Sequence, residues 1–395
     1  MVIERNNIGS LHINESLQYT GGAEGYILNL AQAMVHRRIP VHLITGRDEK
    51  IDNPNYTHFL PQVDERTSPE QMAFNMSQIK RMMMDNGLDV VHLHNVDSPI
   101  LLQELIADFP VIRTVIDSRS VCPTEFRINR LGEICTIPVG DDCIACSNYK
   151  ITIDDLNKKQ ESLRSMTAVD LLITPSSYTR EQLVLNGLSP SKIVVLPLFI
   201  PTSSDNFIAQ DELYASDILF IGRIIKSKGL REAMKAFVLI GGTHRFVICG
   251  DGPDLAAYQE MAHQLGISDR VKYTGWIKEN DRSKYLANTK VVVFPSIGPE
   301  SFGLVGLEAM YHKKPIVGFN SGGVSEWLKD SINGYLVPTG DVDSLAYHVN
   351  ILLNDSELCE QMGSMGKLLV DTEFSVEHHL NRLLEIYSSV RRDHS

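Results

Sequence analysis

The sequence lacks any stretch of about 20 consecutive apolar residues, the length that a membrane-spanning helix requires. Its first residues also lack the charged segment followed by an apolar one that marks a secretory signal. These two absences predict a cytosolic protein. Peripheral contact with the inner face of a membrane remains open.

Positive charge is also scarce. The chain has 37 Lys and Arg residues against 49 Asp and Glu residues, which gives a net charge of −12. Such a protein is a poor general binder of nucleic acid, because phosphate contacts need clustered cations. No internal repeat of about 20–50 residues is visible, which excludes a solenoid.

Apolar residues are present in short runs that alternate with amphipathic stretches. This alternation, with strands apolar on both faces, is typical of parallel sheets covered by helices on both sides. The predicted strands are 11–14, 41–45, 89–95, 111–116, 170–174, 193–197, 217–223, 246–250, 271–275, 291–295, 315–319 and 334–338. Helical segments lie between most of them, such as 23–36, 68–86, 229–239 and 303–310.

A polar segment without clear periodicity at 199–216 predicts a linker. We therefore expect two doubly wound α/β domains, 1–200 and 201–373, followed by a helix at about 374–391. Ligands of open α/β sheets bind beyond the carboxyl ends of the strands, so a ligand is expected in a cleft between the two domains.

The second domain begins with a strand that leads directly into Gly222 and Arg223, and Lys228 precedes the next helix. Two cations near a helix entrance suit a diphosphate, although two solvated surface cations remain the alternative. The next strand ends at Gly250 in a tight turn. A G-x-G-x-x-G motif does not follow the first strand, so a plain dinucleotide-binding domain lacks its main support.

The most informative segment is VVVFPSIGPESFGLVGLEAM. Glu300 lies in the loop after an apolar strand, Gly303 begins a helix, and Glu308 lies on that helix. Glycine lets a ligand approach the backbone amides, and the two carboxylates can bind hydroxyl groups. This pattern suits a sugar nucleotide, whereas the alternative is two ordinary helix charges. In the first domain, Gly21 and Gly22 likewise precede a helix.

The segments GGAE, DVVHLHN, LLITPSSYTRE, FIGRIIKSKGL, CGDGP and PESFGLVGLEAM occur in this order. Together they resemble the retaining glycosyltransferases of family 4 (group 1), which have the GT-B fold, over about residues 9–350. The resemblance implies that the C-terminal domain, 201–373, holds the donor and the N-terminal domain, 1–200, holds the acceptor. It also implies that the helix at 374–391 packs back on the first domain.

The resemblance implies roles for individual residues. Arg223 and Lys228 would bind the donor diphosphate, Glu308 the ribose and Glu300 the transferred sugar, so that Glu300, Arg223 and Lys228 form the catalytic set. The remaining donor-binding positions that it implies are Gly22, Gly222, Gly250, Ile277, Phe302, Gly303 and Leu304, with the nucleotide base near Ile277.

One position departs from the family pattern. Many members carry His-Asp after the fifth strand of the first domain, whereas this sequence has Ile116 and Asp117. Asp117 remains a candidate on the sugar or acceptor side. His94, at the end of a predicted strand that would face the cleft, is a candidate replacement for the missing histidine.

Four cysteines form a cluster in the sequence: Cys122, Cys135, Cys143 and Cys146, spaced C-x12-C-x7-C-x2-C. In a reducing compartment this spacing favours a structural zinc site, and few apolar residues surround it. Reduced thiols, or one disulfide formed on handling, are the alternatives. A Met-rich segment, QMAFNMSQIKRMMMDNG, predicts a core helix or one that contacts lipid.

The resemblance implies a retaining enzyme that moves a hexose from a nucleotide sugar, with UDP favoured, to a saccharide or lipid-linked saccharide. Retention would proceed by attack from the face of the leaving group, and no cofactor is expected for transfer. A non-catalytic GT-B protein that binds a nucleotide sugar or a partner enzyme remains an alternative, as does a GT-B sugar-nucleotide epimerase.

Overall fold

The computed structural model describes residues 8–17, 22–47, 57–60, 68–96, 98–124, 127–146, 150–201 and 212–391. The chain forms two compact units. Unit 1 comprises Met1–Leu198 and Val376–Ser395, and unit 2 comprises Phe199–Ser375. Most of the predicted linker, 202–211, and Gly21 lie outside the described residues.

The strands of unit 1 are β1 (Gly9–Asn14), β2 (Val41–Thr45), β3 (Thr57–Phe59), β4 (Leu88–Leu93), β5 (Val111–Thr114), β6 (Leu171–Thr174) and β7 (Ile193–Val195). The strands of unit 2 are β8 (Ser216–Ile221), β9 (Phe246–Cys249), β10 (Val271–Tyr273), β11 (Thr289–Phe294), β12 (Ile316–Phe319) and β13 (Gly334–Val337).

The helices of unit 1 are α1 (Gly22–His36), α2 (Pro69–Asp85), α3 (Pro99–Asp108), α4 (Cys143–Cys146), α5 (Ile153–Met166), α6 (Ser177–Leu185) and α13 (Val376–Val390). Those of unit 2 are α7 (Leu230–Ile240), α8 (Leu255–Gln264), α9 (Glu279–Ala287), α10 (Leu304–Tyr311), α11 (Val342–Asn354) and α12 (Ser356–Thr372).

Each unit contains one parallel sheet with the same doubly wound order. The order is β3-β2-β1-β4-β5-β6-β7 in unit 1 and β10-β9-β8-β11-β12-β13 in unit 2. In both sheets the order in which the strands are added reverses beside the first strand, between β1 and β4 and between β8 and β11. The predicted fold class, two Rossmann-like doubly wound domains, is confirmed.

The sequence did not predict β3. This strand has only three residues, lies at the edge of the sheet and is not buried. Its short run Thr-His-Phe therefore carries no apolar pattern. By contrast, all six residues of β1 are buried, as expected for a strand with helices on both faces.

The Met-rich helix α2 contributes to the core of unit 1. Met72, Met76, Ile79 and Met83 are buried against the sheet, which favours the core interpretation of this segment. Within the described part of the chain, no helix is both long enough and apolar enough to cross a bilayer.

The C-terminal helix α13 belongs to unit 1, where it packs against α1 and the sheet. Its Tyr387 hydroxyl lies 2.6 Å from Nδ1 of His92 on β4. Its His379 lies 2.9 Å from the Tyr26 hydroxyl on α1, and its Glu377 pairs with Arg37 at 2.7 Å. These polar contacts hold α13 against α1 and β4.

A buried histidine cluster lies where β1 and β4 meet. His12 and His92 are direct neighbours in the strand register, and His94 follows β4. All three are fully buried, and the ring nitrogens of His12 and His94 approach to 2.9 Å. No hydrogen-bond partner for Nδ1 of His94 is found among the described residues.

The unpartnered nitrogen favours one tautomer throughout the cluster, since a bare ring nitrogen costs less than an unsatisfied N–H. With Nδ1 of His94 unprotonated, its Nε2–H donates to His12, whose Nε2–H faces Ser10 (3.0 Å) and Tyr387 (3.3 Å). The Tyr387 hydroxyl then donates to His92, whose Nε2–H donates to Thr114 at 2.6 Å. This chain of hydrogen bonds requires neutral rings.

Burial lowers the pKa of His12 to about 3 and that of His379 to about 4. Burial also lowers the pKa values of His92 and His94 well below the usual range, and the neighbouring histidines add to the effect. Below pH 6.5 the unfolded chain therefore binds protons that unit 1 excludes. Stability is complete above that pH and is lost as the pH falls toward the native pKa values.

We predict that unit 1 loses about 1.4 kcal/mol per excluded proton and per pH unit between roughly pH 6.5 and 4. Pulsed hydrogen exchange of β1 and β4 amides across this range measures the effect. Both tryptophans, Trp276 and Trp327, lie in unit 2, so their fluorescence follows that unit separately.

The variant His12→Asn should flatten the pH dependence of unit 1. His263→Asn, at an exposed position on α8, should leave it unchanged. Equal protection of β1 in the wild-type protein at neutral pH and at about pH 5 would contradict the account.

Candidate functional site

The candidate site lies in unit 2, where β8 and β11 are neighbours in the sheet but not in the sequence. This is the reversal point of a doubly wound sheet, and its loops come from the carboxyl ends of the strands. The loops after β8, β9 and β11 carry most of the residues that the sequence singled out in this unit.

The loop after β8 holds the two cations. Arg223 is exposed, whereas the next residue, Ile224, is fully buried and anchors the loop. A short 3-10 turn, Lys226–Lys228, then leads to Gly229, which begins α7 in the left-handed conformation, with φ of 68°. The side chain of Lys228 is 30% exposed. One cation is thus free in solvent and the other is held near the protein surface.

The loop after β9 is pressed against this first loop. A β-carbon at Gly250 would lie 1.9 Å from the carbonyl oxygen of Gly222, and the amide of Gly222 donates to Cys249 at 3.0 Å. Only glycine therefore fits at position 250. The immediate role of Gly250 is the packing of backbone on backbone, which fixes where Arg223 emerges.

The loop after β11 is held by the same device. A β-carbon at Gly229 would lie 1.7 Å from the carbonyl oxygen of Pro295. The amides of Ile297 and Gly298 both donate to the carbonyl of Ser227, each at 2.9 Å. The backbone segments that carry Lys228 and Glu300 are therefore joined directly.

Glu300 accepts two hydrogen bonds at one carboxylate oxygen. Its Oε1 lies 2.6 Å from Nζ of Lys228 and 2.5 Å from Oγ of Ser296, and its side chain is 12% exposed. The structure therefore brings together Lys228 and Glu300, which the sequence placed 72 residues apart. Ser296 was not predicted, because a serine after a strand is an ordinary loop residue.

The backbone of Glu300 is fixed from the other side by the glycine turn after β12. The amide of Gly323 donates to the Glu300 carbonyl at 2.6 Å. A β-carbon at Gly322, where φ is 62°, would lie 2.2 Å from that same oxygen. The Gly-Gly pair thus serves to position Glu300.

The segment after Glu300 exposes backbone rather than side chain. Phe302 is 1% exposed, packs against Phe374, and accepts a hydrogen bond from Trp327 at its carbonyl, at 2.7 Å. Gly303 caps α10 with φ of 102° and no side-chain cap, and Leu304 is the first residue of the helix. Any ligand contact of Phe302 must therefore use its main chain. The first backbone amides of α10 have no side-chain cap and can bind an anion.

Glu308 lies one turn into α10 and forms an ion pair that the sequence did not reveal. Its Oε1 accepts from Nη1 of Arg282 at 2.7 Å, with side-chain exposures of 22% and 16%. Arg282 comes from α9, 26 residues earlier in the chain. No local pattern marks it, because the contact exists only once α9 and α10 pack together.

Ile277 follows β10 and is partly exposed. The preceding segment is tied to the site, since the amide of Gly250 donates to the carbonyl of Gly275 at 2.9 Å. Ile277 is thus two residues beyond Gly275, which is hydrogen-bonded to the loop that packs on Gly222.

The predicted residues of unit 1 have different environments. Gly22 is exposed at the start of α1. Asp117 caps a 3-10 turn and pairs with Arg119 at 2.7 Å, and Ile116 is buried in the core.

His94 requires a correction. We expected it to be open to a sugar, but its side chain is fully buried within the histidine cluster. Both faces of the sheet are covered at β4, so the side chains of His92 and His94, two residues apart, are both buried inside the protein.

The cysteines of the insertion after β5 are free thiols in the structure. Cys122, Cys135 and Cys146 are partly buried and Cys143 is buried.

Comparison with known families gives two matches. A model described as glycosyl transferases group 1 matches residues 209–368, and a model described as glycosyltransferase family 4 matches residues 20–117. The second unit is thus similar to the group 1 glycosyl transferases and the first unit to glycosyltransferase family 4. The resemblance inferred from the sequence motifs is confirmed.

Relatives and solved structures agree with these two matches. A lipopolysaccharide core biosynthesis glycosyltransferase of Rhizobium meliloti, LpsE, is 23% identical over 93% of this chain and 96% of its own length. N-acetyl-alpha-D-glucosaminyl L-malate synthase of Bacillus anthracis is 31% identical over 45% of this chain. The chain covers 46% of that relative's length, and the same or slightly less of two others that are also 31% identical.

HepE of Anabaena, solved in complex with UDP and glucose, has the same fold as this chain. Its TM-score is 0.71 at 17% identity, with 97% of this chain and 100% of that chain covered. This likeness shows the GT-B fold of the chain.

We predict that Arg282 and Glu308 are energetically coupled. In a double-mutant cycle with Arg282→Gln and Glu308→Gln, the coupling free energy should reach about 1 kcal/mol or more, because both side chains are largely buried. Urea denaturation followed by the fluorescence of the two unit 2 tryptophans measures it.

The exposed pair Lys284–Asp281 on α9, which also belongs to unit 2, has side chains 45% and 41% exposed and serves as the comparison. Its coupling should stay below about 0.5 kcal/mol. Coupling of Arg282 with Glu308 no larger than that of the exposed pair would show that the buried contact does not form.

Proposed function

We propose that this protein transfers a hexose, with retention, from a nucleoside diphosphate sugar to a saccharide or lipid-linked saccharide. The observation that carries the proposal is the Lys228–Glu300 pair beside the uncapped start of α10, at the reversal point of the unit 2 sheet.

A diphosphate suits the chemistry of the loops after β8 and β11. Arg223 offers a planar fork to phosphate oxygens and Lys228 a compact charge. The first amides of α10, from Gly303 onward, add partial positive charge at the helix end. The backbone that carries these groups is fixed before binding by the glycine contacts, so little backbone reorganisation is needed when charge develops on the leaving group.

The two carboxylates divide the hydroxyl groups between them in this proposal. Glu300, whose Oε1 faces Lys228, is positioned to accept hydrogen bonds from the hexose next to the diphosphate. Glu308, oriented by Arg282, accepts those of the ribose, and Ile277 provides an apolar contact for the base. UDP is the first nucleotide to test, since HepE, which shares the fold, was solved with UDP.

The chemical step that we propose exchanges one bond at the anomeric carbon. The acceptor oxygen forms a bond to this carbon as the bond to the terminal phosphate oxygen breaks, on the same face of the sugar. The electron pair of the broken bond stays with the diphosphate, and the acceptor proton moves to that phosphate. Lys228, Arg223 and the α10 amides stabilise the departing charge, so added divalent ions are not required.

The function is tested by binding followed by transfer. In a thermal-shift panel of UDP, GDP, ADP and their sugars, a ligand at 100 times its Kd should stabilise the protein by about 2.7 kcal/mol. The stabilising donor, with saccharide acceptors, should then release free nucleoside diphosphate in the presence of a chelator. An epimerase would convert the donor without lasting release, and a binding protein would not turn it over.

We predict that Lys228→Ala lowers kcat by about 10²–10³-fold, the loss expected for one preorganised charge at the leaving group. Lys226→Ala, an exposed lysine in the same 3-10 turn, is the matched control and should keep near-normal turnover. Steady-state kinetics with a saturating donor gives the comparison. Equal turnover of a folded Lys228→Ala variant and the control would remove Lys228 from the site.

We predict that Glu308→Gln weakens both the free nucleoside diphosphate and the full donor by about tenfold. The reason is that a charged acceptor is worth about 1.5–3 kcal/mol against roughly 1 for a neutral one, and 1.4 kcal/mol is one decade. Glu300→Gln should spare the free nucleotide and impair the sugar donor or its transfer. Isothermal titration with UDP and UDP-hexose separates the two variants.

Two results would contradict the assignment of ribose to Glu308 and of hexose to Glu300. If both variants weaken the free nucleotide equally, or if neither does, ribose is not bound by Glu308 and hexose is not bound by Glu300.

A further inference from the structure

In the described part of the insertion between β5 and α5, residues 118–124, 127–146 and 150–152, few apolar side chains are buried. Leu131, Ile137 and Ile144 are exposed by 75%, 38% and 43%. Its described secondary structure is a 3-10 turn at Ser118–Val121, a tight hairpin closed by an antiparallel bridge between Ile128 and Ile134, and the single turn of α4. Hydrophobic burial therefore does not explain why this segment is compact.

A buried arginine organises the base of the insertion. Arg127 is 1% exposed, and its guanidinium donates to the carbonyls of Val121 (3.0 Å), Ile137 (3.2 Å) and Cys135 (2.8 Å), and to the side chain of Gln182. The segments that carry two of the cysteines are thus drawn around one positive charge.

Backbone contacts bring the other two cysteines to the same place. The amide of Arg130 in the hairpin donates to the carbonyl of Cys146 at 2.6 Å, and the amide of Cys135 donates to Arg127 at 2.8 Å. The hairpin is therefore hydrogen-bonded to α4 at Cys146.

The four cysteines lie in segments that contact one another. Cys122 follows Val121, and the carbonyls of Val121 and Cys135 both accept from the buried guanidinium of Arg127. Cys143 and Cys146 lie on α4, whose Cys146 carbonyl accepts from the hairpin. None of the four is in a disulfide. Three neighbouring segments thus supply the four cysteines.

We propose that Cys122, Cys135, Cys143 and Cys146 bind one Zn²⁺ as a structural four-thiolate site. Zinc prefers four tetrahedral sulfur ligands, and a terminal C-x2-C pair is a common part of such sites. Binding converts four thiols into thiolates and releases their protons. The zinc and the buried Arg127 together offset most of the four negative charges. The metal supplies the stabilising energy that the missing apolar core does not.

This site is independent of the proposed transfer reaction. The insertion belongs to unit 1, whereas Lys228, Glu300 and Glu308 belong to unit 2. Loss of zinc should therefore leave the affinity of unit 2 for a nucleoside diphosphate unchanged, and failure of either proposal can be recognised without the other.

The test is the metal content of the full chain, purified under reducing conditions without chelators. Elemental analysis should find about one zinc per chain in the wild type and in Cys359→Ser, a control cysteine on α12 outside the insertion. Cys146→Ser should lose the metal and Cys146→His should retain it, since imidazole can replace one thiolate. Replacement of zinc by Co²⁺ should give the strong visible absorption of tetrahedral thiolate coordination.

A second measurement covers the case in which Cys146→Ser folds poorly. Chelation of the wild-type protein should make the insertion sensitive to limited proteolysis within 118–152, and added Zn²⁺ should restore its resistance. Wild-type protein without zinc and without Co²⁺ absorption would overturn the proposal. So would alkylation mass spectrometry that shows these four cysteines oxidised to disulfides in the reduced preparation.

Discussion

The close approach of four backbone loops, those after β8, β9, β11 and β12, determines the geometry of the candidate site at the carboxyl edge of the unit 2 sheet. At Gly229, Gly250 and Gly322 a β-carbon would lie within about 2 Å of a carbonyl oxygen of a neighbouring loop, so only glycine allows the contacts. These contacts set the position of Lys228 relative to Glu300 and the direction in which α10 begins. The cation, the carboxylate and the helix amides are consequently arranged before any ligand arrives, as electrostatic stabilisation of a leaving diphosphate requires.

Much of this arrangement could be predicted from the sequence because it is local. Apolar runs that end in glycine identify the strands and their loops, and Glu300 and Glu308 lie within one such segment. Two features could not be predicted, because they arise only from packing between distant elements. Arg282 reaches Glu308 from another helix. His94 is buried because β4 is covered on both faces, one of them by α13, whose Tyr387 contacts the cluster.

The two units are stabilised in different ways near the carboxyl edges of their sheets. In unit 2 the edge is stabilised by backbone packing and by ion pairs at the site itself. Unit 1 has a neutral, hydrogen-bonded histidine core beneath its edge and, after β5, an insertion held by a buried arginine and four cysteines. The insertion continues directly from Ile116 and Asp117, the position where the sequence departs from the family pattern. The departure from the family pattern at Ile116 thus lies directly before the insertion.

Hydrogen exchange of the full chain with and without saturating UDP measures which backbone amides the nucleotide covers. UDP should slow exchange at the amides from Gly303 into the first turn of α10 and in the segment from Arg223 to Gly229. These are the groups that would face the diphosphate. If UDP binds and exchange at the start of α10 is unchanged, the site is not at the reversal point of the unit 2 sheet.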